Sequence, residues 1–227
     1  MTRKNFTPEL MIGPARGLSS IDITSLGGPI MFRERLRSGV AHVGLALREP
    51  EAFAVRWNQG EVQYRWWVWA ALVATAVLGT TTYGMTMGLL GQAEDVLFKG
   101  LACTMAAGLA WGIPLPALYI LNSLSGSRLP ASSTLLAALV TTSWGGLAML
   151  ASIPINWFFT VAIPSPGFVL LVNLIVFAGV GVSMVDVFGR VMQQLEPQRG
   201  VIPIWWLVLV GIMGAELFYF FGLFRFA

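Results

Sequence analysis

Residues 66–90 read WWVWAALVATAVLGTTTYGMTMGLL, which is a continuous stretch without a charged side chain. A helix needs about 20 apolar residues to cross a hydrocarbon core about 30 Å thick. The stretch meets that requirement, and its tryptophans stand at one end, where aromatic side chains favour the membrane–water interface. It therefore predicts a membrane-spanning helix and decides the fold class, an all-α integral membrane bundle.

Four further stretches of the chain have the same apolar character: about 101–121, 132–153, 167–188 and 201–224. Strands of a membrane barrel would instead alternate apolar and polar residues over about 10 positions, and these stretches are apolar throughout. We therefore predict five transmembrane helices within a domain of residues 66–227. Segments rich in Gly, Pro and Ser separate the helices, and the third loop is expected to run from Pro154 to Gly167.

The composition agrees with a membrane protein and limits its chemistry. Of 227 residues, 56% are hydrophobic and 11% are charged, whereas soluble domains average about 45–50% and about 25%. One cysteine and one histidine exclude a disulfide framework, a cysteine-based metal cluster and bis-histidine haem ligation by this chain. No zinc-protease, phosphate-loop or serine-hydrolase motif occurs. We therefore expect no catalysis by this chain alone, no cofactor and no metal site.

The distribution of Lys and Arg predicts the orientation, because basic residues concentrate on the cytoplasmic side. Nine of the 14 basic residues precede Trp66, and the opposite side would receive only Lys99 and Arg225. We predict a cytoplasmic N-terminus and an outside C-terminus, with Trp66 and Trp67 as cytoplasmic interface anchors and candidates for partner contact. The excess of Arg over Lys favours a GC-rich bacterial genome and hence the bacterial inner membrane.

Two segments precede the first span. Residues 1–30 are punctuated by Gly and Pro and predict an irregular cytoplasmic tail. Within residues 31–65, apolar side chains recur at the spacing of one helix face: Phe32, Leu36, Val40, Val43 and Leu47. We predict amphipathic helices on the membrane surface, whose Arg33, Arg35 and Arg37 meet anionic headgroups. The alternative is that the apolar face docks on a neighbouring subunit or on the chain's own loops.

The first 65 residues mix nine basic with six acidic side chains. Nucleic-acid binding requires a concentrated basic patch, so no nucleic-acid partner is expected.

Among the residues of the predicted spans, Glu216 costs the most free energy to place within the bilayer. It follows the start of the fifth stretch by 15 residues, about 22 Å of helix rise. Ionisable residues at such depth face a partner or a cavity. The functional hypothesis is a proton or cation relay. The structural alternative is a carboxyl group bonded to another helix, through Asn173 or the threonines 80–82.

Two other pairs of residues are candidates for function. Asp186 and Arg190 are four residues apart, the spacing of a helical ion pair; ion binding is the functional alternative. Pro114 and Pro116 interrupt the second span, because proline lacks the N–H of the helical hydrogen bond. Broken helices line substrate sites in transporters, whereas many proline kinks only shape packing.

Small residues four positions apart occur in the first two spans, at Gly84–Gly88 and Gly108–Gly112. Such pairs let helix backbones approach closely. They predict tight helix packing, either within the chain or with a partner.

The stretch Leu47–Phe53 (LREPEAF) is similar to the Pro-x-x-Phe lead-in of bacterial Yip1 proteins, and Ile113–Pro116 (IPLP) is similar to their helix-breaking prolines. With a cytoplasmic N-terminal segment, five spans and an outside C-terminus, the architecture resembles the Yip1 family of small membrane proteins. The resemblance implies a non-enzymatic protein that organises membranes or partners, and it carries no site residues. The Asp-Leu-Tyr-Gly-Pro sequence of eukaryotic members is missing.

These features predict a non-catalytic, multi-pass structural or accessory subunit of a larger membrane complex, in contact with lipid and with other membrane subunits. The alternative is a small-solute or ion transporter or channel that uses Glu216 and the broken second helix. A lipid-handling enzyme ranks last, because no motif supports it.

Overall fold

The computed structural model describes residues 29–62, 65–199 and 207–224, with the side chains of 29–32 and 34–36 left out. The predicted tail, residues 1–30, lies almost entirely outside the described residues. Within the described ranges the chain forms eight α-helices and a short 3-10 turn at Pro197–Arg199. The helices are α1 (Pro29–Arg48), α2 (Pro50–Asn58), α3 (Arg65–Met87), α4 (Ala93–Gly112), α5 (Leu115–Leu124), α6 (Ala131–Ala162), α7 (Pro166–Leu195) and α8 (Leu207–Phe220).

Four helical segments are long and apolar enough to cross a bilayer: α3, α4 with α5, α6 and α7. The predicted all-α fold is therefore confirmed for the described residues, and its four long apolar helices indicate an integral membrane protein. The described part of α8 has 14 residues, about 21 Å of helix rise, which is shorter than a hydrocarbon core of about 30 Å. The fifth predicted span is thus described only in part, because residues 200–206 lie outside the described ranges.

The predicted break in the second span is confirmed. Helix α4 ends at Gly112, and α5 begins at Leu115 after Pro114. The N–H of Ile113 donates to Leu109 at 2.9 Å, and the N–H of Leu118 donates to Pro114 at 2.8 Å. Both helix ends therefore keep their hydrogen bonds while the two prolines, which lack an N–H, separate them.

The predicted third loop is wrong in its first half. Helix α6 continues through Pro154 to Ala162, and Asn156 is buried within it. A membrane helix tolerates one proline because neighbouring helices and side chains satisfy the freed carbonyl groups, whereas exposed loop backbone in lipid has no partner. The loop between α6 and α7 is accordingly short.

The membrane helices form an arc in the order α8, α4, α3, α6, α7. Helix α3 packs against both α4 and α6, α6 packs against α7, and α4 packs against α8. Helices α7 and α8 stand at the two ends of this order, and side-chain contacts such as Phe177 with Phe218 bring the two ends together. The crossing of α3 and α6 is close: a Cβ atom built on Gly79 would lie 2.1 Å from the carbonyl oxygen of Gly146.

Only one of the two predicted glycine pairs contacts another helix of the described chain. A Cβ on Gly84 would lie 2.5 Å from Cys103 Cβ, and one on Gly88 would lie 2.6 Å from Val96 Cα. The prediction of tight packing at this pair is confirmed, since both glycines contact α4. Around Gly108 and Gly112 nothing lies within 4 Å of a built Cβ, so this pair leaves an open surface on α4.

Helices α1 and α2 dock on one end of the bundle. Helix α1 packs against α3, and α2 packs against α7 and α6. Phe53 is completely buried and Trp57 nearly so, in a cluster with Val68 and Leu72 of α3. The apolar face of α2 thus packs on the chain's own helices, whereas we predicted the membrane surface, with a neighbouring subunit or the chain's loops as the alternative.

Candidate functional site

Glu216 lies on the outward face of α8. Gly214 faces Ala110 of α4, where a built Cβ would lie 3.7 Å from the alanine Cβ. Phe218 contacts Phe177 of α7 with 4.5 Å between ring centroids. These two contacts place Glu216 near mid-length of the spans Ala93–Leu124 and Pro166–Leu195. Its side chain is exposed, so the carboxyl group faces the surroundings of the bundle at membrane depth.

The expected bonds from Glu216 to neighbouring helices are not found. The hydroxyl of Tyr83 donates to Asn173 Oδ1 at 2.8 Å, and Thr80 and Thr81 both share hydrogen bonds with Thr104. These groups are therefore occupied by one another. Within the described residues Glu216 has no hydrogen-bond or ion-pair partner.

The surface around Glu216 is apolar. The other residues on this face of α8 are large, hydrophobic and exposed: Leu209, Ile212, Tyr219 and Phe220. Together with Glu216 they form what we call the α8 outer face. It is a hydrophobic surface with one carboxyl group.

The predicted pair of Asp186 and Arg190 is confirmed. Arg190 Nε donates to Asp186 Oδ2 at 2.9 Å, and the same guanidinium also pairs with Glu51 of α2. The group ties the N-terminal helices to α7. Arg190 and Asp186 are largely exposed, and exposed ion pairs contribute little free energy, so the group orients α2 more than it stabilises it.

The remaining candidate residues lie either at the end of the bundle where α1 and α2 dock or at the break between α4 and α5. Trp66 is exposed at the start of α3, whereas Trp67 is half-buried where Gly39 of α1 approaches it. Pro114 is buried and Pro116 is exposed. Two of the predicted membrane-surface arginines, Arg33 and Arg37, are exposed, and the side chain of Arg35 lies outside the described set.

A cavity of about 560 Å³ is lined mainly by α7 and α8, with further lining residues from α3, α4 and α6. We call it the lateral cavity, because Val182 and Val208 of its rim are 73% and 61% exposed and it opens to the outside of the bundle. Its lining is apolar apart from the hydroxyl groups of Thr80 and Thr142 and the indole N–H of Trp111. Neither Glu216 nor the two prolines of the helix break belong to its described lining, so the structure does not bring these candidates together there.

Two polar networks were not predicted. The first lies between α3, α6 and α7, where Asn156 Nδ2 donates to Thr86 at 2.7 Å near the bond between Tyr83 and Asn173. Buried polar groups in a membrane interior need such partners. The signal in the sequence was the presence of Asn within otherwise apolar spans.

The second network joins the loop after α5 to the turn after α7. Arg199 bonds Asn122 Oδ1, the carbonyl of Ser125 at 3.2 Å and Glu196 at 3.2 Å. Glu196 in turn accepts from Ser127 Oγ and from the N–H of Arg128, both at 2.8 Å. We call this group the loop clamp. The side chains of Arg199 and Glu196 are only 9% and 13% exposed.

In the part of the chain that the structure describes, no three His, Cys, Asp or Glu side chains come together as metal ligands would. Comparisons with family models, with curated proteins and with solved structures gave no match to this chain. The resemblance to the Yip1 family therefore stays a prediction.

Proposed function

We propose that this protein is a non-catalytic, multi-pass accessory subunit of a larger membrane complex, with a scaffolding or membrane-organising role. The observation that carries the proposal is the exposed position of Glu216 on the α8 outer face. A residue that serves only the chain's own fold would face the interior of the arc. Glu216 instead faces the place where a second protein would stand.

The energetics favour a protein partner over lipid at this position. An ionised carboxylate at the centre of a membrane helix costs about 2.5–3.5 kcal/mol on insertion scales. A Lys or Arg on a partner helix at the same depth removes that cost, because opposite charges in a low-dielectric medium attract strongly. The surrounding side chains, such as Ile212 and Phe220, supply apolar packing area. The proposed partner is therefore a transmembrane helix that carries a basic residue.

The proposed topology has five spans, the fifth being the predicted stretch of about 201–224, whose length suits a bilayer. The N-terminal helices and the basic loops lie at one end of the bundle, as the pairing of Glu51 with Arg190 and the loop clamp at Arg199 support. The positive-inside rule makes that end cytoplasmic. We place the protein in a bacterial inner membrane, with its C-terminus outside and the arginines of α1 near anionic headgroups.

The test is to compare tagged full-length wild type with Glu216→Gln and Glu94→Gln after extraction from native membranes in a mild detergent. Each variant loses one exposed carboxylate, and Glu94 lies in the first turn of α4, outside the α8 outer face. We expect wild type and Glu94→Gln to elute as the same large particle. The amount of subunit that co-purifies with Glu216→Gln should be at least about tenfold lower than with wild type, which corresponds to about 1.4 kcal/mol of binding free energy.

Two results would contradict the proposal. One is a wild-type protein that elutes as a monodisperse monomer without a co-purifying subunit. The other is a Glu216→Gln protein that retains the subunit as wild type does. Because Glu216 is exposed and has no hydrogen bond or ion pair among the described residues, the variant should keep its own thermal stability, which distinguishes a lost partner from a lost fold.

A further inference from the structure

We infer that the lateral cavity between α7 and α8 binds one acyl chain of a membrane phospholipid. Helix α8 packs mainly against α4 and meets α7 through fewer side chains, among them Phe218 with Phe177, and the cavity lies beside this contact. Most of its lining comes from α7 and α8, and α3, α4 and α6 contribute the rest, including Gly145 and Gly146 of α6. The opening faces sideways, toward the hydrocarbon that surrounds the bundle.

The size and depth of the cavity suit a hydrocarbon chain. Its volume of about 560 Å³ falls within the range of about 300–1,000 Å³ that is usual for ligand pockets. The lining residues of α4, Ala107 to Trp111, and of α7, Leu174 to Val185, belong to the central parts of two membrane spans. The solvent at this depth is acyl chain.

Water is a poor occupant because both hydroxyl groups of the lining are already bonded, which leaves the indole N–H of Trp111 as its main polar partner. Thr80 Oγ1 donates to the carbonyl of Ala76 at 2.9 Å, and Thr142 Oγ1 donates to that of Ala138 at 2.7 Å. A buried water needs two to four polar partners, and apolar cavities stay dry or take apolar ligands. The lining carries no charged side chain among the described residues, so a lipid headgroup would have to stay outside.

Two glycines hold the cavity open. Gly181 of α7 and Gly211 of α8 both line it, and a Cβ built on either meets nothing within 4 Å. A side chain added at either position meets no atom at its Cβ, and we expect a leucine there to extend into the cavity. One end is closed by the aromatic rings of Phe177, Phe218 and Phe224, whose centroids lie 4.5 to 5.3 Å apart. A bound chain would therefore place its methyl end against these rings.

The experiment uses full-length protein reconstituted in vesicles of phosphatidylethanolamine and phosphatidylglycerol, in which one acyl chain carries a diazirine near its methyl end. After photolysis, peptides are mapped by mass spectrometry. We expect adducts on α7 and α8 residues of the cavity. Gly181→Leu should reduce them at least fivefold, because its side chain takes the space of the acyl chain.

Gly179→Leu is the matched control. Gly179 lies on the same helix, also has open space around it and is not among the cavity lining, so its adducts should equal those of wild type. Gly211→Leu, with Gly108→Leu as its control, repeats the comparison from the opposite wall should Gly181→Leu fail to fold.

The inference is overturned if the cavity-filling variants are labelled as strongly as wild type. It is equally overturned if the purified wild type takes adducts only on the exposed outer faces of the helices. Because the lateral cavity does not include Glu216, loss of labelling and loss of subunit co-purification are independent results.

Discussion

Gly79→Val is expected to prevent the membrane bundle from forming. A Cβ at this position would lie 2.1 Å from the carbonyl oxygen and 2.8 Å from the Cα of Gly146. Both atoms are backbone, so no side-chain rotation relieves the overlap, and α3 and α6 must move apart. Overpacking of a core costs about 1–3 kcal/mol and sometimes more, and we expect the upper end of that range or beyond.

The measurement is the monodisperse fraction in detergent, together with the thermal unfolding midpoint followed by tryptophan fluorescence. Gly108→Val is the control, because it makes the same substitution on α4 at a position with nothing within 4 Å. We expect the control to stay monodisperse. Equal behaviour of the two variants would show that α3 and α6 do not cross at Gly79 and Gly146.

Arg199→Met should give the second largest loss of stability, through the loop clamp. The guanidinium is almost completely buried beside Glu196 and Asn122. Removing one partner of a buried ion pair costs about 3–5 kcal/mol, because the remaining charge is left without compensation. For a chain of this size each kcal/mol corresponds to about 2–4 °C, so the thermal midpoint should fall by roughly 10 °C.

Arg128→Met is the control for the loop clamp. Arg128 contributes its backbone N–H to Glu196, and its side chain is exposed, so the midpoint should change little. Arg199→Met combined with Glu196→Met should recover part of the loss, because it removes the unpaired charge as well. An Arg199→Met protein that unfolds at the temperature of Arg128→Met would contradict this description of the loop clamp.

The membrane fold was largely predictable because its determinants are local. The length of an apolar run fixes whether a helix spans the bilayer, and two prolines fix where the second span breaks. The end of α6 was not predictable in the same way. Pro154 usually ends a helix in water, and only the surrounding membrane and helices allow the helix to continue to Ala162.

Among the candidate residues, too, contacts set by local spacing were predictable and contacts between distant parts of the chain were not. The pair of Asp186 and Arg190 follows from a spacing of four within one helix, but the contact of Arg190 with Glu51 joins residues 139 positions apart. The run length predicted Glu216 in the outer half of the bilayer, whereas its neighbours lie near mid-length of their spans. The direction of Glu216 was not predictable, because α8 is apolar on every side and its periodicity does not mark a buried face.

The spacing of glycines alone also does not predict which helices pack closely. Gly84–Gly88 and Gly108–Gly112 have identical spacing, yet only the first pair contacts a neighbouring helix in the described chain. The loop clamp and the bond between Tyr83 and Asn173 likewise depend on which helices become neighbours. Such long-range pairings are set by packing of the whole arc and have no signature in a short stretch of sequence.

Photo-crosslinking from the α8 outer face in native membranes tests the proposed subunit role most directly. A photoreactive amino acid replaces Ile212, which is exposed one turn before Glu216, and Val77 on the exposed side of α3 serves as the reference position. We expect Ile212 to give one protein adduct of discrete mass that disappears when Glu216→Gln is added, while Val77 gives none of that mass. Labelling of lipid alone from Ile212, or an adduct that persists unchanged in Glu216→Gln, would contradict the account.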